Sequence, residues 1–177
     1  MEYLKIIFES IILLLTINTE IYQIIFLSLK ISGLALLVSS ILGIITGYLI
    51  AINNFVLKNF ISILLSSLMG IPPVVVGLIV YLIFSNSGPL GVFSILYTPT
   101  AIIIAQIIIS YPIISTLVKE LFDEAWSNQK ETIRSLNLSN FATLYILIKY
   151  CYFYIIVIIL LTFGRLLAEV GAVMIVG

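Results

Sequence analysis

Two charged side chains lie in the apolar stretch near the end of the sequence, in the segment FGRLLAEVGA. Arg165 and Glu169 are four positions apart, so on a single helix they share one face and can form an ion pair. A charge inside a membrane is costly, and ionisable residues in such stretches commonly mark the route of an ion. Both residues are therefore pathway candidates, with a structural ion pair as the alternative.

A second candidate is the segment MGIPP, residues 69–73, at the centre of the apolar stretch Phe60–Phe84. Proline has no amide hydrogen and its ring clashes with the preceding turn, so the carbonyl groups of Leu68 and Met69 lose their helical partners. Two interpretations are open: a kink absorbed by neighbouring helices, or a discontinuous helix that lines a translocation path. The second interpretation makes pathway candidates of Gly70, Pro72 and Pro73.

Gln106 is a polar side chain in the middle of the apolar stretch Thr100–Val118. A hydrogen bond to a neighbouring helix explains such a residue most simply, and a place on the pathway is the alternative.

The composition excludes most other chemistry. The chain has no His and 1 Cys, so it cannot form an internal disulfide, a Cys/His nucleophile pair or a thiolate and imidazole metal site. The pattern GxxxxGK[ST] is absent, so any ATP must be hydrolysed by another polypeptide. Lys and Arg balance Asp and Glu at 8 each, which gives no basic surface for nucleic acid. We expect no catalytic residue, no metal and no cofactor.

The candidates must be positioned by helices that cross a bilayer, because the chain is 62% hydrophobic and 9% charged. Four stretches carry no charge, namely Ile31–Ile52, Phe60–Phe84, Thr100–Val118 and Tyr150–Gly164. The first three can cross a hydrocarbon core of about 30 Å, whereas the fourth must continue through Arg165 and Glu169. We predict an all-α polytopic membrane protein with about four spanning helices, the first starting near Ile21.

The N-terminal segment differs from these spans. Residues 1–20 place Lys5, Glu9 and Glu20 around an apolar stretch that is too short to cross securely, which predicts a helix lying in the membrane interface. No linker or repeat interrupts the chain. We therefore expect residues 1–177 to form a single transmembrane domain.

The loops predict the orientation, since basic residues are retained in the cytoplasm. The turn Asn53–Asn59 holds Lys58, and the polar segment Lys119–Lys149 holds four more basic residues. The loop Ser85–Thr98 carries no charge and is predicted to be external. The N-terminus is then external as well.

Small residues recur every fourth position in the first predicted span, at Ala35, Ser39, Gly43, Gly47 and Ala51. Such a stripe lets a second helix approach closely. It predicts a packing face, either within the subunit or at a dimer seam.

The segment Lys119–Lys149 is rich in helix-forming residues and is interrupted at residues 137–139. We predict a helix, a turn and a short second helix capped by Ser139 on the cytoplasmic face. A soluble surface of this size suggests a docking partner, and a solvated loop is the alternative.

Three separated segments resemble a known family in order and spacing: MGIPPVVVGLIVYLIFSNSGPLG, YTPTAIIIAQ and FGRLLAEVGAVMIVG. They are similar to the permease subunit of tungstate ABC importers, within the group that includes molybdate and sulfate permeases. The resemblance runs from about Ile21 to the last residue. It implies the type I ABC importer permease fold, and the family is expected to have one further spanning helix after Gly177.

The resemblance also implies partners and a coupling loop. The permease is expected to form a homodimer, with a cytoplasmic ABC ATPase dimer and an external substrate-binding protein. Residues 119–149 correspond to the ATPase-coupling loop, whose Glu-Ala-Ala signature is matched at Glu131 and departs from the family at Thr132 and Ile133. Asn137 stands at the glycine position of that signature. The coupling residues implied are Glu131, Arg134, Asn137 and Ser139.

The function implied is import of an oxyanion across the cell membrane by a multi-pass permease without enzymatic activity of its own. Tungstate comes first, molybdate second, and sulfate or phosphate third. A secondary transporter or channel without an ATPase is the main alternative, and a membrane scaffold is another. A carrier coupled to ions usually buries several carboxylates in its spans, and here Glu169 alone qualifies.

Overall fold

A computed structural model describes residues 19–135, 138–169 and 171–177, apart from the side chains of Glu20, Thr132 and Arg134. The regular elements are α1 (Thr19–Ile52), α2 (Lys58–Met69), α3 (Pro73–Phe84), a 3₁₀ turn (Gly91–Phe93), α4 (Pro99–Ser135), α5 (Asn140–Leu167) and α6 (Gly171–Val176). The interfacial helix was predicted for residues 1–20, and residues 1–18 of it lie outside the described part of the chain. Residues 19 and 20 belong to α1, and the apolar span within this helix runs from Ile21 to Ile52, which confirms the predicted start near Ile21.

Three helices, α1, α4 and α5, are long and apolar enough to cross a membrane. The helices α2 and α3 pass the same test only as a pair, which is bent by 101° at the break between them. The number of spans in the described residues is therefore three, or four with the bent pair. Of the two interpretations of the stretch Phe60–Phe84, this bend favours the discontinuous helix, because the two prolines at the centre end one helix and start another.

The helix α4 is the centre of the packing and contacts α1, α2, α3, α5 and α6. The helix α5 packs through one stripe with a spacing of three or four residues: Thr143, Leu147, Cys151, Ile155, Ile158, Thr162 and Leu166. Its other faces expose large apolar side chains, among them Phe153 and Leu161. Apolar exposure of this kind suits helices that are surrounded by lipid.

Two predicted helix boundaries need correction. The polar segment from Lys119 to Ser135 is a continuation of the spanning helix α4, which has 37 residues. The helix that follows the break is not short, since α5 has 28 residues and contains the whole charge-free stretch Tyr150–Gly164. It includes Arg165 but ends at Leu167, so the predicted continuation of this span through Glu169 is wrong. The break itself falls between Ser135 and Asn140, as predicted. The helix α4 continues past the predicted membrane boundary because the polar residues that follow Val118 favour a helix.

The small-residue stripe of α1 packs within the subunit against α4. A Cβ atom added at Gly43 would lie 2.7 Å from Ile114 Cγ2, and one added at Gly47 would lie 3.0 Å from the Lys119 backbone nitrogen. Ala35 and Ser39 in the same stripe are fully buried. The prediction of a packing face is confirmed, and this face is occupied by the chain itself.

Candidate functional site

The two helices α2 and α3 meet at the Gly70–Pro72 break. The Gly70 amide donates to the Ser67 carbonyl at 3.1 Å, which closes the last turn of α2. Pro72 has an extended backbone with φ −61° and ψ 131°, and Pro73 starts α3. A proline suits this first helical position because the missing amide hydrogen has no partner there in any case. The predicted interruption is thus a helix end followed by a new helix start.

The carbonyl groups freed by the prolines both have donors. The Leu68 carbonyl accepts from the Ile71 amide at 3.2 Å. The Met69 carbonyl accepts from Arg165 Nη2 at 3.5 Å, across 96 positions of sequence. This contact lies at the outer limit of a hydrogen bond, so it is weak and easily exchanged. The structure therefore joins two of the predicted pathway features, the broken helix and the arginine.

Glu169 does not form the ion pair with Arg165 that is one of the two interpretations of its position. The helix α5 ends at Leu167, so Arg165 and Glu169 do not share a helical face. The Glu169 carboxylate oxygen Oε1 accepts from the Gly171 amide at 3.1 Å and from the Ala172 amide at 3.3 Å. Within the described residues no ion pair joins Arg165 to Glu169. The alternative of a structural ion pair is therefore not supported, because Glu169 caps α6 instead.

The short helix α6 packs directly on the first turns of α3. A Cβ atom added at Gly77 would lie 2.9 Å from the Ala172 Cα atom, and one added at Gly171 would lie 2.6 Å from Val74 Cγ2. The Tyr97 amide donates to the Val176 carbonyl at 2.9 Å, which joins α6 to the loop before α4. The break, α3 and α6 therefore form one packed unit.

Gln106 forms the interhelical hydrogen bond that the sequence predicts. Its side chain is 3% exposed, and Nε2 donates to Ser32 Oγ of α1 at 3.2 Å. Its amide oxygen Oε1 has no partner among the described residues. Gln106 and Glu169 both line a cavity of about 310 Å³ between α1, α4 and α6, and Arg165 is not part of its lining.

The family model described as "Binding-protein-dependent transport system inner membrane component" matches residues 39–177. The chain belongs to this family. It is therefore a multi-pass inner-membrane permease.

Relatives of the permease carry names from anion transport. It is 37% identical over 165 residues to a tungstate uptake system permease protein of Peptoclostridium acidaminophilum, covering 93% of this chain and 72% of the relative. A protein of the same name from Campylobacter jejuni is 37% identical over 70% of this chain and 52% of the relative. A probable anion ABC transporter permease protein of Haloferax volcanii is 30% identical over 90% of this chain and 68% of the relative.

The coupling candidates that the structure describes lie near the end of α4 and directly before α5. Glu131 is exposed near the end of α4, and Ser139 Oγ accepts from the Ala142 amide at 3.3 Å, so the predicted cap is confirmed. Asn137 and the side chain of Arg134 lie outside the described part of the chain.

A cluster that the sequence analysis missed lies on the same side of the permease. Asp123 pairs with Lys119 at 2.8 Å and with Lys58 at 3.5 Å, and Lys58 Nζ also donates to the Ala51 carbonyl at 2.9 Å. The cluster connects α4 to the start of α2 and the end of α1. The i,i+4 spacing of Lys119 and Asp123 could have indicated the first pair. The orientation rule places Lys58 on the same side of the membrane, but no local pattern indicates its contact with Asp123.

The opposite end of the permease carries an uncharged polar loop. Ser94 and Tyr97 adopt left-handed backbone conformations with φ 48° and 61°, which bulky residues rarely take. The neighbouring Tyr81 phenol raises the pKa of Tyr97 above its usual value. A cavity of about 560 Å³ lies beside these residues, lined by serine, asparagine and aromatic side chains.

Proposed function

We propose that this permease is the membrane subunit of an ATP-driven importer whose cargo is the oxyanion tungstate. The observation that carries the proposal is the 37% identity to two tungstate uptake permeases, one of them covered over 72% of its length. The third relative is named for anion transport, which supports the same class of cargo. Molybdate is the second choice, and sulfate or phosphate the third.

The proposed pathway passes the break between α2 and α3. A helix that starts in the middle of the bilayer presents a partial positive charge at its N-terminus, and here α3 starts at Pro73. Arg165 brings a full positive charge to the same break, 3.5 Å from the Met69 carbonyl. Both features attract an oxyanion. The Arg165 guanidinium can exchange its weak contact with the Met69 carbonyl for two hydrogen bonds to an oxyanion. Gly70, Pro72, Pro73 and Arg165 are the residues of this proposal.

Gln106 and Glu169 are the remaining pathway candidates. The cavity that they share includes no Lys or Arg among its described lining residues, and it carries the Glu169 carboxylate. A carboxylate repels an oxyanion in a medium of low dielectric constant. The proposed route of the cargo therefore does not include these two residues.

The proposed partners follow from the family and from the shape of α4. A cytoplasmic ABC ATPase dimer would dock on residues 119–149 at Glu131, Arg134, Asn137 and Ser139, and an external binding protein would deliver the cargo to a permease homodimer. The 37 residues of α4 extend about 55 Å without interruption at 1.5 Å per residue. A movement at its cytoplasmic end reaches α2 through the Lys58 and Asp123 contact, and α2 ends at the break.

The function is tested by reconstituting the permease with its ATPase and binding protein in proteoliposomes. Tungstate should accumulate only with ATP, molybdate should compete more weakly, and sulfate should compete least. Uptake that continues without ATP or ATPase would instead support the secondary transporter or channel.

The docking segment is tested by cross-linking cysteine variants to the co-expressed ATPase. Cysteines introduced at Ser135 and Ser139 should cross-link in the assembled complex, and the yield should change with nucleotide. A cysteine at Ser87 in the uncharged loop is the matched control and should give no product. If neither cytoplasmic position cross-links, this segment is a solvated loop and the docking site lies elsewhere.

A further inference from the structure

The cavity that contains Gln106 has an unusual set of polar groups for its position. It has a volume of about 310 Å³ and lies between the first third of α1, the start of α4 and the junction of α5 with α6. The polar residues of its lining are Ser28, Ser32, Gln106 and Glu169, and the other lining residues are apolar. In the predicted topology this is the outer part of the membrane.

Gln106 leaves a hydrogen-bonding atom unused in this cavity. The side chain is almost fully buried, and its Nε2 is held by Ser32 Oγ at 3.2 Å. The amide oxygen Oε1 has no partner among the described residues. A buried carbonyl oxygen without a donor or a cation destabilises the folded state, so such groups normally have a partner or an ordered ligand.

Glu169 adds a full negative charge to the same lining. One of its oxygens, Oε1, accepts from the amides of Gly171 and Ala172, and within the described part of the chain no cationic side chain balances the charge. The nearby Arg165 contacts the Met69 carbonyl and is not a lining residue. The half-buried carboxylate therefore has no ion-pair partner among the described residues, and an ionisable group in a membrane span usually has a counter-charge.

The oxygen atoms that line this cavity favour a cation as the ligand. Carboxylate, amide and hydroxyl oxygens are hard ligands that suit alkali and alkaline-earth cations, and the chain has no His for a softer metal. A divalent ion normally takes several carboxylates or retains most of its waters, whereas one carboxylate balances one monovalent charge. The volume leaves room for retained water, since each molecule occupies about 30 Å³.

We propose that this cavity binds a partly hydrated monovalent cation, Na⁺ or K⁺, held by Glu169, Gln106 and the hydroxyl groups of Ser28 and Ser32. The cation neutralises Glu169 and gives the Gln106 oxygen a partner. It joins α1, α4 and the start of α6 at a place separate from the oxyanion route. The proposal goes beyond the transport function, because it assigns a structural ion and not a cargo.

The test is the thermal unfolding of the full permease chain in detergent, titrated with NaCl or KCl against choline chloride at constant ionic strength. At about ten times the dissociation constant, the cation should raise Tm by about 3 to 6 °C relative to choline. Glu169→Gln should remove this shift, because it loses the charge but keeps the oxygen that caps α6. The control Glu120→Gln changes an exposed carboxylate outside the cavity and should keep the shift.

Variants of Gln106 decide the matter if Glu169→Gln does not fold. Gln106→Glu adds a second carboxylate and should lower the half-saturating cation concentration about tenfold. Gln106→Met removes the amide oxygen and should raise that concentration about tenfold. A tenfold change in affinity corresponds to about 1.4 kcal/mol of binding free energy at 25 °C. Equal melting in choline, Na⁺ and K⁺ would overturn the proposal and leave a cavity filled with water only. A cation shift that survives in both Glu169→Gln and Gln106→Met would also overturn it.

Discussion

At the residue scale, close contacts between helices depend on positions where a methyl group does not fit. A Cβ atom at Gly43 would approach Ile114 Cγ2 to 2.7 Å and Ile114 Cβ to 2.9 Å, whereas nothing lies within 4 Å of one placed at Gly33 on the same helix. Gly33 and Gly43 both lie in the interior of α1 but have different surroundings. They form a matched pair that separates packing from helix propensity.

We predict that Gly43→Ala destabilises the permease by about 1 to 3 kcal/mol, the usual effect of overpacking. Gly33→Ala should be neutral or should stabilise it by up to about 1 kcal/mol, because Ala favours helix over Gly. The measurement is the free energy of unfolding of both variants in the same detergent. Equal destabilisation by both changes would mean that α1 and α4 do not approach as described.

Arg165 and Glu169 have separate partners, and this gives a second prediction. Arg165 donates to the Met69 carbonyl and Glu169 accepts from two amides of α6, so neither depends on the other for its contacts. In a double-mutant cycle with Arg165→Gln and Glu169→Gln, the coupling energy should be below about 0.5 kcal/mol. A coupling energy above about 1 kcal/mol would show that Arg165 and Glu169 interact, as the ion-pair interpretation of their i,i+4 spacing predicts.

Some of these residue roles are readable from sequence and others are not. The stripe from Ala35 to Ala51 and the hydrogen bond of Gln106 follow from residue type and position in an apolar stretch, and the structure confirms both. The contact of Arg165 with Met69 joins residues 96 positions apart and depends on where α5 crosses the break. No local pattern encodes that crossing.

At the element scale, the break between α2 and α3 separates two helices of 12 residues each. Each is too short to cross the bilayer alone at 1.5 Å per residue. The bend of 101° exceeds what a kinked continuous helix shows, so the chain turns at the break. The interpretation as a discontinuous helix is favoured over a kink.

We predict that replacing Pro72 and Pro73 together with Ala straightens this pair and reduces uptake. Alanine restores two amide donors and removes the ring clash, so the helix can continue through residue 72. Spin labels at Ile63 and Leu82, which are exposed in α2 and α3, should move apart when the bend opens. Pro112→Ala is the control, because α4 already continues through Pro112. An unchanged label distance would show that packing, and not the prolines, sets the bend.

The positions of the helices were predicted better than their ends, because the edge of an apolar stretch need not coincide with the end of a helix. The run of charged residues after Val118 marks the membrane surface, but it contains Glu, Lys, Leu, Ala and Gln, which sustain a helix in water. The helix α4 therefore crosses the boundary without a break. The opposite error occurs at Glu169, where an apolar sequence continues although α5 has already ended at Leu167.

At the scale of the whole molecule, charge divides the two ends of the helices. The basic cluster of Lys58 and Lys119 with Asp123 lies at one end, next to the long polar part of α4. The other end carries the loop Ser85–Thr98, which has no charged residue. These helices pack against one another, so the two ends have a fixed relation. If the charged end lies on one side of the membrane, the loop Ser85–Thr98 lies on the other side.

We predict that the charged end is cytoplasmic, since basic loops are retained inside during insertion. A membrane-impermeant thiol reagent should label Ser87→Cys and should not label Ser127→Cys in intact cells. Both serines are exposed, so a difference in labelling reports the side of the membrane and not burial. Native Cys151 is 2% exposed and adds little background, and a Cys151→Ala parent removes it. After permeabilisation both positions should react, which controls for folding. Labelling of Ser127→Cys alone in intact cells would reverse the orientation, and it would place the proposed ATPase-docking segment outside the cell, where no ATPase could reach it.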